Sequence, residues 1–133
     1  MTIEALTLCD FAQDTFGKLT ILGAFDAITV REFPASHPLM SIAARIRFAV
    51  YELGEHSIHI EIKDSAGTDL APPLDGQINV NGIGGDSACT NLTLNLMNIQ
   101  LTGETSWRIT LSIDGLEKAH IPLFIRKANQ EQS

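Results

Sequence analysis

The chain has no helix-length amphipathic stretch, no Cys-x-x-Cys pair, no Gly-x-Ser-x-Gly elbow and few positive charges. Each shortage removes a class of function. The two cysteines, Cys9 and Cys89, stand far apart, so the sequence predicts free thiols, with neither a zinc site nor a redox motif. Neither lies near a histidine in sequence, and with no nucleophile elbow or metalloprotease helix no catalytic residue is nominated and no cofactor is implied. His56 and His59 are an odd number of residues apart. On a strand they face opposite sides, and no metal site is expected. Nine Lys and Arg against 16 Asp and Glu leave a formal charge of −7, which repels phosphate backbones and anionic headgroups. The expectation is no nucleic acid and no membrane partner. The start Met1-Thr2-Ile3-Glu4 has no basic n-region, and no apolar run suits a signal peptide or membrane span, so a cytoplasmic protein is expected.

What the sequence has in quantity is period-two alternation. Trp107, Ile109, Leu111 and Ile113 alternate with Arg108, Thr110 and Ser112 up to the turn pair Asp114-Gly115, and Ala119, Ile121, Leu123 and Ile125 return on one phase. This is a hairpin whose Asp-Gly pair supplies the positive φ angles of a type I′ turn. Its apolar face needs a second layer, and Trp107 is expected between the layers. Further strands are predicted over Ile3–Phe11, Lys18–Phe25, Ile28–Val30, Ile42–Tyr51 and Ser57–Lys63. Gly23 marks a bulge or a close backbone approach. Pro34 to Pro38 reads as a loop holding His37, Pro72-Pro73 as an edge connection, and Ile78 and Val80 as a short strand. Residues Asn81 to Asn91 read as a glycine-rich loop, after which the switch from Leu94 and Leu96 to Met97, Ile99 and Leu101 suggests a β-bulge. Turn signals recur about every 8 to 12 residues. The fold class is therefore all-β, a two-sheet antiparallel β-sandwich of the immunoglobulin-like kind with seven to nine strands, a closed barrel being the alternative. Residues 1–126 form one domain and 127–133 a polar C-terminal tail.

The runs Leu8-Cys9-Asp10-Phe11-Ala12-Gln13, Gly17-Lys18-Leu19-Thr20-Ile21-Leu22-Gly23, Phe33-Pro34-Ala35 and Ala44-Arg45-Ile46-Arg47-Phe48 resemble a family of small uncharacterised bacterial proteins known as a domain of unknown function. The resemblance covers nearly the whole chain. It implies a compact β-sandwich and brings no activity, substrate or catalytic residue. Separately, Gly54 to Gly67 and Gly103 to Ile125 look like strand pairs of immunoglobulin-like sandwiches, a likeness of fold that assigns no function.

Arg45 and Arg47 form the compact basic feature of the sequence, on the face opposite Ile46 and Phe48. If His59, Glu61 and Lys63 of the next strand lie beside them, the result is a solvated face of cross-strand ion pairs. The alternative is that Arg45, Arg47 and His59 bind a ligand carboxylate or phosphate. Two functions follow. In one, the protein is a non-enzymatic interaction module that assembles with itself or a protein partner: Ile3–Phe11 and Lys18–Phe25 are apolar on both faces, so Leu6, Leu8, Leu22 and Ala24 need covering by another segment of this chain or another copy of it, and because the polar tail and the glycine-rich loop are poor covers a homodimer is expected. In the other, a small-molecule binding or hydrolytic protein uses a pocket rimmed by Asn81 to Asn91 and His37.

Overall fold

Alternating apolar and polar side chains, cut by glycine, proline and aspartate turns, produce nine strands: β1 (Thr2–Thr15), β2 (Lys18–Phe25), β3 (Ala27–Val30), β4 (Ala35–Phe48), β5 (Gly54–Lys63), β6 (Leu74–Val80), β7 (Ala88–Leu101), β8 (Thr105–Ile113) and β9 (Leu116–Lys127). The computed structural model describes residues 1–82 and 87–128; Ile83, Gly84, Gly85 and Asp86 of the glycine-rich stretch and the polar tail beyond Ala128 lie outside the described residues. Among the described residues there is no α-helix, and a 3-10 turn at Val50–Glu52 links β4 to β5. Among the described residues no helix is long and apolar enough to cross a membrane.

The strands form a four-stranded sheet, β2-β1-β4-β7, and a five-stranded sheet, β3-β9-β8-β5-β6. Both keep their edges, so the closed barrel is not formed. One core joins them. Leu8, Met40, Ile42, Ile46 and Phe48 from the first sheet meet Ile109, Leu111, Ile113 and Leu123 from the second, all fully buried. Each such side chain contributes about 1.5–3 kcal/mol relative to exposure. The β8–β9 hairpin turns as its Asp-Gly pair dictates, with positive φ at both Asp114 and Gly115.

Four expectations need correction. The sheets are not wholly antiparallel: after Asp26 the chain leaves the first sheet, and β3 runs parallel to β9, Ala27 opposite Phe124 and Val30 opposite Lys127. Residues 35–38 are not a loop, because β4 begins at Ala35 and His37 pairs with Ile99 of β7. Pro38 is tolerated there because β1 pairs with β4 only from Ser41 onward, so no ladder on that side needs its missing N–H. The phase switch in β7 is no one-sided bulge. The β4–β7 register is the same on both sides of Pro38 and Asn98, and β4 changes phase at the same level, from Ala35 and His37 to Met40 and Ile42. Asn98, at φ 54, absorbs the kink. Finally, Trp107 has the expected phase but sits half-buried at the margin of the core rather than between the sheets.

The second apolar face of the N-terminal strands has its own solution. Leu6 and Leu8 face the main core, while Cys9, Ala12 and Ala43 form a small separate cluster with Leu19 and Ile21. Ala43 is on the outer face of β4, since Ile42 and Ala44 point inward. The far end of the β1–β2 hairpin must therefore lie over that face. Side-chain bonds say the same: Asn91 of β7, two strands away from β1, donates through Nδ2 to Asp14 Oδ1 at 2.8 Å and to the Gly17 carbonyl at 3.1 Å. The fold-back begins at Gly23, whose φ of +67 and close approach to the Asp10 side chain leave no room for a Cβ. Of the four residues expected to need a second copy, Leu6 and Leu8 are thus taken up by the main core, while Leu22 and Ala24 on β2 remain exposed.

Candidate functional site

The nominated arginines project from β4 onto this outer face. A register shift in β1 between Ile3 and Ala5 leaves Glu4 unpaired in the ladder and places its carboxylate between them. Arg45 Nε donates to Glu4 Oε1 at 3.0 Å, and Arg47 Nε donates to Glu4 Oε2 at 2.6 Å. Arg45 Nη1 also reaches Asn91 Oδ1 at 3.0 Å, and Arg47 Nη1 reaches Ser87 Oγ at 3.0 Å. The Cys89 thiol donates to Glu4 Oε1 at 3.3 Å. The Arg47 hydrogen bond, followed by the Cys89 hydrogen bond, pulls the Glu4 carboxyl down to about 2. The Cys89 thiol is pushed up, first by burial and then by its bond to Glu4, which disfavours a reactive thiolate. An incoming carboxylate or phosphate would have to displace Glu4 from two guanidinium groups.

His59 is not part of this arrangement. It belongs to β5 in the other sheet, where Nδ1 meets Asp75 Oδ1 at 2.6 Å and Nε2 meets Glu61 Oε2 at 3.3 Å; the Asp75 bond, then the Glu61 bond, raise its pKa. The strand after β4 in sequence is not its neighbour in space, so Arg45 and Arg47 do not share a face with His59, Glu61 and Lys63. His120, on β9 opposite Thr110, meets Glu117 and Arg108 instead. Among the described residues no group of three or more His, Cys, Asp or Glu side chains is placed to hold a metal ion.

His56 faces the opposite way from His59, as its spacing requires, but it is not an outward surface residue. It stacks against Phe48 with ring centroids 4.7 Å apart, its Nδ1 lies 2.6 Å from Asp114 Oδ2, and its Nε2 meets the Glu52 carbonyl. The Asp114 bond raises His56, and the same bond lowers Asp114. This clasp ties the β8–β9 turn to the chain entering β5.

His37 and the start of β7 do not rim one pocket. His37 pairs with Ile99, and from there to Asn91 the strand runs roughly 26 Å. His37 instead lines a shallow depression with Asp10, Phe25, Ile28 and Val30, and its buried Nε2 has no hydrogen-bond partner there.

Sequence reasoning missed one cationic group. The parallel β3–β9 pairing sets Thr29 opposite Arg126 and Val30 opposite Lys127, next to Arg31. All three cations are exposed and, among the described residues, none forms a salt bridge, unlike Arg45 and Arg47. The Arg126 guanidinium lies 5.2 Å from the Phe124 ring centre. No signal in the sequence reveals the group, because it depends on a parallel pairing across the length of the domain.

A model of a family of unknown function, DUF6941, matches residues 4–126. No curated protein matches the chain. Among solved structures, the Pseudomonas fluorescens alkylpurine DNA glycosylase AlkC, bound to DNA containing an abasic site analog, is similar with a TM-score of 0.56 at 8% identity. The likeness takes in 93% of this chain and 30% of the glycosylase, so it concerns a part of that protein and its fold alone. It still corrects the expectation of no nucleic acid, because this kind of fold occurs in a DNA-bound protein. A net charge of −7 does not describe every surface, since local charge decides contact.

Proposed function

This chain belongs to DUF6941, a family whose membership carries no activity with it, and we propose that it is a cytoplasmic, immunoglobulin-like interaction module without catalysis that assembles with a second copy of itself. The observation that supports this reading is the placement of exposed apolar side chains. Phe11, Phe16, Leu22, Leu39 and Met97 all belong to the four-stranded sheet and its hairpin, with Phe16 and Met97 the most open at 101% and 69% exposure. Among the described residues the five-stranded sheet exposes Leu74 and Leu116 of this class, and the turn between the sheets exposes Val50 and Tyr51. Concentrating apolar surface on one side is how a self-associating domain differs from a monomer. Sedimentation equilibrium at micromolar concentration tests it: about twice the 14.5 kDa chain mass is expected, and a monomer rejects the reading.

A second reading is nucleic-acid contact through Arg31, Arg126 and Lys127, favoured by the absence of salt bridges from their side chains among the described residues, although the Lys127 backbone N–H donates to Glu104, and by the DNA-bound glycosylase of similar fold. Fluorescence anisotropy with a labelled DNA duplex should then show salt-dependent binding that Arg126→Ala/Lys127→Ala weakens. Equal binding by the double variant, or none by the wild type, rejects it.

A further inference from the structure

We infer that β7 is a self-pairing edge, and that two copies of the chain join antiparallel β7 strands across a two-fold axis into one continuous eight-stranded sheet. The inference rests on the self-association reading and names its surface. β7 is the terminal strand of the four-stranded sheet, and among the described residues only β4 pairs with it. Every second residue of such a strand directs its N–H and C=O away from its one neighbour, which makes a template for another strand.

Edge strands in soluble proteins are usually short, charged or broken by proline. The other three edges here follow that rule. β3 has four residues, β6 follows Pro72-Pro73 and contains Asp75, and β2 opens with Lys18 and contains the left-handed Gly23. β7 is long and uncharged, and its one irregularity, the left-handed Asn98, lies near its end. It is 14 residues long, and no charged residue or proline occurs from Ser87 to Gly103, the longest uncharged run in the chain. Two molecules that each carry −7 repel each other over most approaches, and the side chains of this strand add nothing to that repulsion.

The side chains of β7 also suit a copy of themselves. Leu92, Leu94 and Leu96 are half-buried at the margin of the core, and Thr93 and Asn95 are exposed on the other face. A two-fold axis at Thr93 sets Leu92 opposite the partner's Leu94 and Asn91 opposite the partner's Asn95. Apolar meets apolar on the core side and amide meets amide outside, with a Thr–Thr pair on the axis. The paired stretch ends before Asn98, where the left-handed residue breaks regular strand geometry. The fully exposed Phe16 sits on the hairpin turn whose Gly17 carbonyl is bound by Asn91 of this same strand, so a large apolar side chain stands where a second copy would arrive.

The test substitutes the axis residue. Thr93→Asp places two carboxylates together in the dimer and changes nothing buried in the monomer, so self-affinity should fall at least about tenfold with the circular dichroism spectrum unchanged. Gln77→Asp on the β6 edge should leave the dimer intact. If Thr93→Asp fails to fold, Thr93→Cys in a Cys89→Ser background reads the geometry directly, and mild oxidation should give a disulfide-linked dimer. A wild-type dimer that Thr93→Asp leaves unchanged, or a Thr93→Cys protein that does not cross-link, overturns the edge assignment and leaves self-association standing through another surface. A monomeric wild type overturns both.

Discussion

On the five-stranded sheet, the positions facing away from the core hold His59, Glu61, Lys63, Arg108 and His120, which pair with one another and with Asp75 and Glu117 in water. The matching positions on the four-stranded sheet include Cys9, Ser41 and Ala43, small side chains that are fully buried. The difference lies in what covers each face. One sheet keeps clean alternation and leaves its outer face to solvent, while the other bends its own first hairpin back across that face. A strand that is apolar on both sides therefore signals a second cover without saying whose it is.

The comparison can be sharpened by probing inner and outer layers in turn. Phe48→Ala empties a fully buried site in the shared core and should lower stability by about 3–5 kcal/mol. Trp107→Ala, at the half-buried margin, should cost nearer about 2 kcal/mol. Denaturant titrations giving the two variants equal losses would mean that the margin is as tightly packed as the centre.

The next effect belongs to the fold-back. Gly23→Ala forces a Cβ into a left-handed position against Asp10 and should cost about 1–2 kcal/mol. Amide exchange around Gly17 and Lys18 should rise with it, because the hairpin end loses its hold on Asn91. Unchanged exchange there would separate the bend from the cover.

A pH effect should come from the His56–Asp114 clasp between β5 and the β8–β9 turn. His56 is raised, so its contribution is full below the ordinary imidazole pKa and is lost as pH rises through the folded value. Asp114 is lowered, so its contribution is present above the ordinary carboxyl pKa and is lost as pH falls through the folded value. Thermal melts of the wild type should weaken from pH 6 towards pH 9, and Asp114→Asn should flatten that limb. A variant with the wild-type slope would assign the pH dependence to other groups. The smallest change is expected for Arg108→Ala on the solvated face, within about 0.5 kcal/mol, since its pair with Glu117 is exposed on both sides. A larger loss in the same titrations would show that this face is more than a wet surface.

Much of the architecture was legible because it is local. The alternation from Trp107 to Ile113, the Asp114-Gly115 turn and the opposite orientations of His56 and His59 all appear as expected. What was not legible depends on pairing at long range. Nothing near Arg45 says that β5 belongs to the other sheet, and the role of Glu4 depends on a single-residue register shift. The phase change at Asn98 is visible in the sequence of β7, but its matching change at Pro38 is hidden by prolines that read as a loop. Composition misled more than periodicity did: it gave a charge for the chain, whereas Arg31, Arg126 and Lys127 gather only once β3 lies beside β9.

That parallel pairing also sets an order of assembly. β8 and β9 meet across a two-residue turn, whereas β3 and β9 meet only after the chain from residue 27 to residue 124 has been closed into a loop. Loop-closure entropy rises with length, and a four-residue strand has few bonds to offset it, so β3 is expected to dock late and open early, which faster amide exchange at β3 than at β8 would check. The cationic end of the five-stranded sheet thus exists only where residues 27–30 and 124–127 have met, and loss of β3 alone would disperse it.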